Sequence, residues 1–341
     1  MLKEVLKLVR LISYKAYGFL IFIFGVFVFL AWGGYPYIEL VEVSTFVGTV
    51  NTVVNFIPWI PEWLHGLRYV ISALFALLII CLVLKHIYRE NALLIKHYSF
   101  AKQLVGHNKR VFEPYKLTTV EIDLFGMLEN IPSAFRYQDK ELGNALRQPF
   151  LHYFYYGIAH TPFVFRAGFQ FGDECNIRIL HKRRKNESVF VELSKHDDEN
   201  LFLVRSESNP VEKTSDELLL VISTSLRIND EEMSCLNPTS KHILKFELAT
   251  KSFDNISSYA QMERYRNEIL YHMREKCKDK GINTVHLVAS TSVAFSFFIG
   301  QGLSETHDPE IIVYHYENNT YPWGLRIKSS DETALVSTNE R

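Results

Sequence analysis

The sequence predicts an N-terminal transmembrane helical hairpin of two spans, followed by a cytosolic α/β domain built on parallel strands. Three observations predict this. Two uncharged, strongly apolar segments sit in the first quarter of the chain. Basic residues flank them on one side only. Beyond them, short continuous apolar runs alternate with helical periodicity, the pattern of a parallel sheet with crossover helices.

The first apolar segment covers residues 16–32 (AYGFLIFIFGVFVFLAW) and the second residues 69–84 (YVISALFALLIICLVL). Each is near the lower end of the ~17–25 residues that span a bilayer as a helix. In hydrocarbon the backbone must satisfy its own hydrogen bonds, so a helical hairpin is the natural form. Lys3, Lys7, Arg10 and Lys15 precede the first segment, and Arg68, Lys85 and Arg89 bracket the second. Between residues 33 and 67 the charges are Glu39, Glu42 and Glu62, with no Lys or Arg. Basic flanks stay inside, so both termini are expected in the cytoplasm and the loop outside. Trp32, Tyr35, Tyr37, Trp59 and Trp63 sit where interfacial aromatics belong. A cleaved signal peptide is disfavoured, because no small-residue cleavage site follows Trp32. A buried helical pair in a soluble core fits neither the charge asymmetry nor the aromatic rims.

The formal net charge of -1 over 341 residues gives no reason to expect a general nucleic-acid surface. The four cysteines, Cys81, Cys175, Cys235 and Cys277, form no close pair, which suits reduced cytosolic thiols better than a disulfide frame or a zinc site.

Residues 86–102 read as a helical stalk continuing the second span. Residues 120–151 read as helices interrupted by Pro132 and Pro149. Phe163-Val164-Phe165, residues 176–180 and residues 189–193 are strand candidates, with an exposed basic hairpin tip at 182–187. Residues 218–222 (LLLVI) form a continuous apolar run that ends in Ser223-Thr224-Ser225. Residues 242–248 (HILKFEL) are a second strand of this region. Over 257–278, Met262, Tyr265, Ile269, Met273 and Cys277 recur at helical spacing, and Gly281 closes the helix. Residues 284–289 (TVHLVA) form a strand that ends in Ser290-Thr291-Ser292, before a short apolar helix at 293–299. Strands follow at 310–316 and 321–327. The polar residues from 329 to 341 are expected to be disordered. The domain expectations are thus 1–90 for the membrane region, 91–139 for stalk and linker helices, 140–328 for the α/β domain and 329–341 for a tail.

Ligands of open parallel sheets bind beyond the carboxyl ends of the strands. Two such ends carry Ser-Thr-Ser, and the second stands directly before a helix. Hydroxyls and helix N-terminal N–H groups favour an anion, above all a phosphate. Ser and Thr also cap helices for structural reasons alone. Tyr314, Tyr316, Tyr321 and Trp323 are suited to stack on a nucleobase, and Arg227 and Arg326 to pair with phosphate, although such aromatics also fill cores. His196-Asp197-Asp198-Glu199 reads as a loop before it reads as a metal site. No HExxH, GxSxG, Walker A or GxGxxG pattern is present, which fits a sensor better than an enzyme.

The stretch HLVASTSVAFSFFIGQGLS followed by EIIVYHYENNTYPWGLRI resembles the SAVED domain of bacterial CBASS anti-phage effectors. The pattern rests on His286, Ala289 to Ser292, Ala294, Gly300, Gly302-Leu303, Tyr314, Tyr316 and Tyr321-Pro322. With the apolar hairpin in front, the chain is similar to the two-transmembrane SAVED class. The resemblance implies two fused CARF-like Rossmann units that bind a cyclic oligonucleotide, expected to be a cyclic trinucleotide, made by a partner nucleotidyltransferase. It implies no cofactor beyond that activating ligand. Ser223, Thr224, Ser225, Arg227, Ser290, Thr291, Ser292, Tyr314, Tyr316 and Arg326 are the expected ligand-binding residues. Binding is expected to drive self-association, and the hairpins then to disrupt the inner membrane and abort infection. The alternatives are a membrane-anchored nucleotide hydrolase or nuclease, and a passive membrane scaffold.

Overall fold

The computed structural model describes residues 89–100, 106–107, 111–172, 177–182, 189–196, 201–210, 215–329 and 332–338, together with residues 70, 74, 77, 78 and 81. Apart from those five, which are helical, both apolar segments expected to cross a bilayer lie outside the described residues, as does the basic tip at 183–187. Among the described residues no helix is long and apolar enough to cross a membrane. Residues 1–90 with 113–115 form one compact unit, and residues 91–112 with 116–341 form another.

The second unit is built on two sheets. Strands β1 (Glu90–Tyr98), β2 (Gly106–His107), β3 (Tyr115–Asp123), helix α1 (Ile131–Leu146), β4 (His152–Ile158), α2 (Thr161–Phe171), β5 (Ile177–Lys182) and β6 (Val189–Glu192) make its first half. The six strands lie in the order β2-β6-β5-β4-β1-β3. The second half comprises β7 (Leu203–Ser208), β8 (Glu217–Ser223), β9 (His242–Leu248), α3 (Tyr259–Lys280), β10 (Thr284–Ser290), α4 (Val293–Gln301), β11 (Glu310–Glu317), β12 (Thr320–Arg326) and β13 (Leu335–Ser337). Its seven strands lie in the order β13-β12-β11-β10-β8-β9-β7.

The halves repeat one plan. The central strand β4 runs parallel to β1 and β5, and β6 returns antiparallel to β5. Likewise β10 runs parallel to β8 and β11, and β12 returns antiparallel. In each half a long helix leads into the central strand and a short helix leaves it. These are two Rossmann-like α/β units, as expected. Leu218 to Ile222 are at most 1% exposed, because a central parallel strand is covered on both faces.

The same physics overturns the stalk. Ala92, Leu93, Leu94 and Ile95 are consecutive apolar residues at most 2% exposed, so 90–98 is a buried strand rather than a helix. Phe163-Val164-Phe165, expected as a strand, lies inside α2. Its aromatic and β-branched run is matched by burial on every side, and Pro162 starts the helix. Over 120–151, expected as interrupted helices, the end of β3 is followed by a 3-10 turn at Phe125–Met127 and a single α-helix. Pro132 sits in its first turn and Asn130 caps it by accepting from the Ser133 N–H. In the expected disordered tail, residues 335–337 add β13 as an edge strand on β12. Strands β8 to β12, and the helix ending at Gly281, fall where the sequence places them, whereas β7 is a strand the sequence reading did not expect.

The halves lock together through α2 and α4. A Cβ added at Gly168 would overlap the carbonyl oxygen of Phe297, and one added at Gly300 would overlap that of Phe165. Only hydrogen at both positions lets the two backbones approach this closely. The Tyr155 and Phe297 rings meet across the same seam at 4.1 Å.

Candidate functional site

Burying the two short helices against each other turns the carboxyl ends of both sheets toward one cleft of about 870 Å³. The first half contributes Gly157, Ile158, Thr161, Leu180, His181, Lys182 and Phe190. The second contributes Ser225 to Ile228, Glu232, Phe253, Ala289 to Ala294, Tyr316 and Tyr321.

The floor is a knot of strand-end hydroxyls and amides. The N–H groups of Thr224 and Ser225 both donate to the Ser290 carbonyl, each at 2.9 Å. The Leu226 N–H donates to Ser290 Oγ at 3.0 Å, and Thr224 Oγ1 donates to Thr291 Oγ1 at 2.7 Å. Ser292 caps α4, its Oγ accepting from the Phe295 N–H at 3.2 Å. The purely structural reading of Ser292 is therefore satisfied, and α4 still begins at the cleft wall with Val293 and Ala294. The first N–H groups of a helix have no intrahelical acceptor, and they carry the positive end of its dipole. Thr161 places the first turn of α2 on the same cleft. Lys182 and exposed Arg227 add positive charge. This arrangement suits a polyanion of modest size.

Of the expected residues, Ser225, Arg227, Ser290, Thr291, Ser292 and Tyr316 line the cleft. Four do not. Ser223 and Thr224 are fully buried behind its floor, and Thr224 acts through its bond to Thr291. Tyr314 is 3% exposed, with its hydroxyl 2.9 Å from His286 Nδ1, so it belongs to the core. Arg326 pairs with Glu310 at 2.9 Å and stands opposite Ile312 in the β11–β12 register, at the amino-terminal end of the sheet. The antiparallel return of β12 carries Arg326 away from the strand ends and brings Tyr321 to them.

Sequence reasoning missed the whole contribution of the first half. The signal was Gly157-Ile158-Ala159-His160-Thr161-Pro162, which holds the place of Ser290-Thr291-Ser292 between a central strand and its short helix. Taking the following Phe-Val-Phe for a strand hid that helix start.

Beside the cleft, Ser99 at the end of β1 accepts from the His160 N–H at 2.7 Å, and its hydroxyl also meets His160 Nδ1. The His160 ring lies 4.3 Å from Phe100 and 4.4 Å from His315, and His315 packs on Trp323 at 4.8 Å. Burial lowers the pKa of His160 to about 4 and of His315 to about 3, so both are neutral at pH 7. On β1, His97 bonds the Tyr155 hydroxyl at 2.8 Å and is likewise lowered to about 3 by burial. Among the described residues no group of three or more His, Cys, Asp or Glu is placed to hold a metal, and Asp197, Asp198 and Glu199 lie outside the described residues.

The model of a protein family described as "SMODS-associated and fused to various effectors sensor domain" (SAVED) matches residues 134–327. Among solved structures, the chain is similar to the Acinetobacter baumannii Cap4 SAVED/CARF-domain containing receptor with the cyclic trinucleotide 3'3'3'-cAAA. The identity is 13% and the TM-score 0.50, over 76% of this chain and 60% of that one. The same receptor with 2'3'3'-cAAA aligns at 13% identity and a TM-score of 0.49, over 76% and 60% of the two chains. The Cap4 SAVED/CARF-domain containing receptor of Moraxella osloensis aligns at 13% and 0.45, over 81% and 62%. The chain thus spans about 60% of the length of those receptors. No curated protein matches it.

Proposed function

The chain belongs to the SAVED family of sensor domains, and from that premise we propose that it senses a cyclic oligonucleotide, a cyclic trinucleotide in the first instance, as the membrane effector of an anti-phage signalling system. One observation carries the reading. A single cleft collects the carboxyl ends of two parallel sheets, the first turns of two short helices, Lys182 and Arg227, with Tyr316 and Tyr321 on its wall. Phosphates suit the helix starts and the cations, and a base suits the exposed Tyr316 ring. The Cap4 receptor with which the chain shares its fold holds cyclic trinucleotides in two of its structures.

In this reading the sensor is not an enzyme. The two apolar segments are spans of the inner membrane, with both termini cytoplasmic so that the cleft meets a cytoplasmic messenger. Occupancy favours a self-associated state. The differential affinity must reach a few kcal/mol to move the population, because a ligand shifts an equilibrium only by that difference. Clustered hairpins then disrupt the bilayer and infection aborts. A partner nucleotidyltransferase supplies the ligand without touching this chain.

The test is calorimetric titration of the full chain in detergent micelles with cyclic di-, tri- and tetranucleotides, followed by dye release from proteoliposomes. Binding with intact ligand recovered and ligand-dependent release is expected. Recovery of cleaved ligand would turn the reading to a membrane-anchored hydrolase or nuclease, and binding without release to a scaffold.

A further inference from the structure

One residue of the cleft runs against its electrostatics. Glu232 lines a site otherwise suited to anions, in the turn that follows the β8 strand end. Its carboxylate is held from two sides. Oε1 accepts from the Tyr316 hydroxyl at 2.7 Å, and Oε2 accepts from the Asn229 N–H at 2.7 Å. Glu232 forms no ion pair among the described residues. Its carboxylate therefore lines the cleft with no counter-charge paired to it among the described residues. Tyr316 holds its proton, since its hydroxyl pKa is raised first by the bond to Glu232.

A fixed carboxylate repels phosphate, so the part of a bound nucleotide beside it must bring N–H donors. Each carboxylate oxygen accepts more than one hydrogen bond, so both oxygens retain capacity after Tyr316 and Asn229 are served. The Watson–Crick edge of guanine presents N1–H and an N2–H side by side, two donors at the spacing of two carboxylate oxygens. Adenine and cytosine present one amine beside a ring-nitrogen acceptor, which the carboxylate repels. Uracil presents one N–H between two carbonyls. The exposed Tyr316 ring, backed at 5.4 Å by the buried Tyr321 ring, offers a stacking surface next to the carboxylate.

Resting on the reading of the cleft as a cyclic-oligonucleotide site, we infer that Glu232 is a specificity residue that reads a guanine base, so that the preferred ligand carries at least one guanine.

The experiment is isothermal titration calorimetry of the full chain in detergent micelles with three cyclic trinucleotides of identical linkage. One is all adenine, one has a single guanine, and one has inosine in place of that guanine. The guanine ring is expected to bind about 10-fold tighter than the adenine ring or better, within the range of a good bidentate base contact. Inosine, which keeps N1–H and lacks the N2 amine, falls between them. Glu232→Gln removes the guanine advantage, because the amide neither accepts two N–H donors nor repels the adenine ring nitrogen, so the guanine and adenine rings then bind within about 2-fold of each other. Equal binding of the three rings by the unmodified chain overturns the inference and leaves the cleft as a cyclic-oligonucleotide site. So does an equal loss for all rings in Glu232→Gln. Absence of heat with every ring rejects the proposed function itself. The inosine comparison alters only the ligand, so its outcome does not depend on how the variant folds.

Discussion

The two halves of the second unit share a topology but finish their central strands differently. In the second half the Thr224 N–H donates to the Ser290 carbonyl at 2.9 Å, and Thr224 Oγ1 bonds Thr291 Oγ1. In the first half the Ser99 N–H donates to the Ile158 carbonyl at 3.0 Å, and the Ser99 hydroxyl meets the His160 imidazole. The bridge between neighbouring strand ends is the same, but its side-chain partner is small in one half and aromatic in the other. A ring at this position recruits rings. Phe100, His315 and Trp323 close over His160, whereas the Thr224–Thr291 bridge stays at the floor of the cleft. The strand end of the first half is thus covered by packed aromatics from both halves, and that of the second leaves hydroxyls and a helix start at the cleft.

The strongest way to break this comparison is at the seam where the halves are alike. At Gly168 and Gly300 an added side chain meets a backbone carbonyl, which no rotamer change can move aside. Gly168→Leu and Gly300→Leu are each expected to cost about 3–5 kcal/mol, or to abolish folding, as severe overpacking does. Denaturant unfolding of the chain measures this. A neutral result for one and a large loss for the other would mean that the two helices do not carry equal shares of the seam.

A second test separates the aromatic strand-end cluster from the hydroxyl floor by pH. His97, His160 and His315 are neutral in the folded chain, with pKa values lowered by burial to about 3, about 4 and about 3 from an ordinary value near 6.5. Below about pH 6.5 the unfolded chain binds protons that the folded chain refuses. Stability is therefore full above that pH and falls as pH drops toward 4. The Tm is expected to fall by about 10 °C between pH 7 and pH 5. His160→Asn should flatten part of that slope, while Thr291→Val should leave it unchanged. An equal slope in both variants would place the pH sensitivity outside the aromatic cluster.

The same asymmetry decides what the sequence discloses. The second half is legible because its strands are continuous apolar runs such as residues 218–222, and because its helix α3 shows clean periodicity with a Gly stop. Its Ser-Thr-Ser ends announce polar strand ends where only apolar residues had preceded. The first half hides its plan. Its strand β1 follows directly on an apolar segment, so local composition reads as a continuing helix. The short helix α2 is buried on all sides, and so has no polar stripe to set a period. At the site, position in sequence separated Ser290 from Tyr314 poorly, since both lie near strand ends. Only the β11–β12 register shows that Tyr314 turns inward and that Arg326 returns to the far end.

The smallest expected effect sharpens the comparison most, because it contrasts two arginines that the sequence alone offers equally as phosphate partners. Arg227 is exposed at the cleft, and Arg326 is bonded to Glu310 at the opposite end of the sheet. Arg227→Ala removes one phosphate-facing cation, so it should weaken cyclic trinucleotide binding by about 3–10-fold at low salt, with the loss shrinking as salt is raised. Arg326→Ala breaks a partly exposed pair worth about 1 kcal/mol or less and should leave binding unchanged. The two variants differ little in net charge and differ entirely in which end of the strands they touch. A salt-dependent loss for Arg227→Ala alone therefore places the ligand at the carboxyl ends. Equal losses for both would reduce the effect to the overall charge of the unit and withdraw Arg227 from the site.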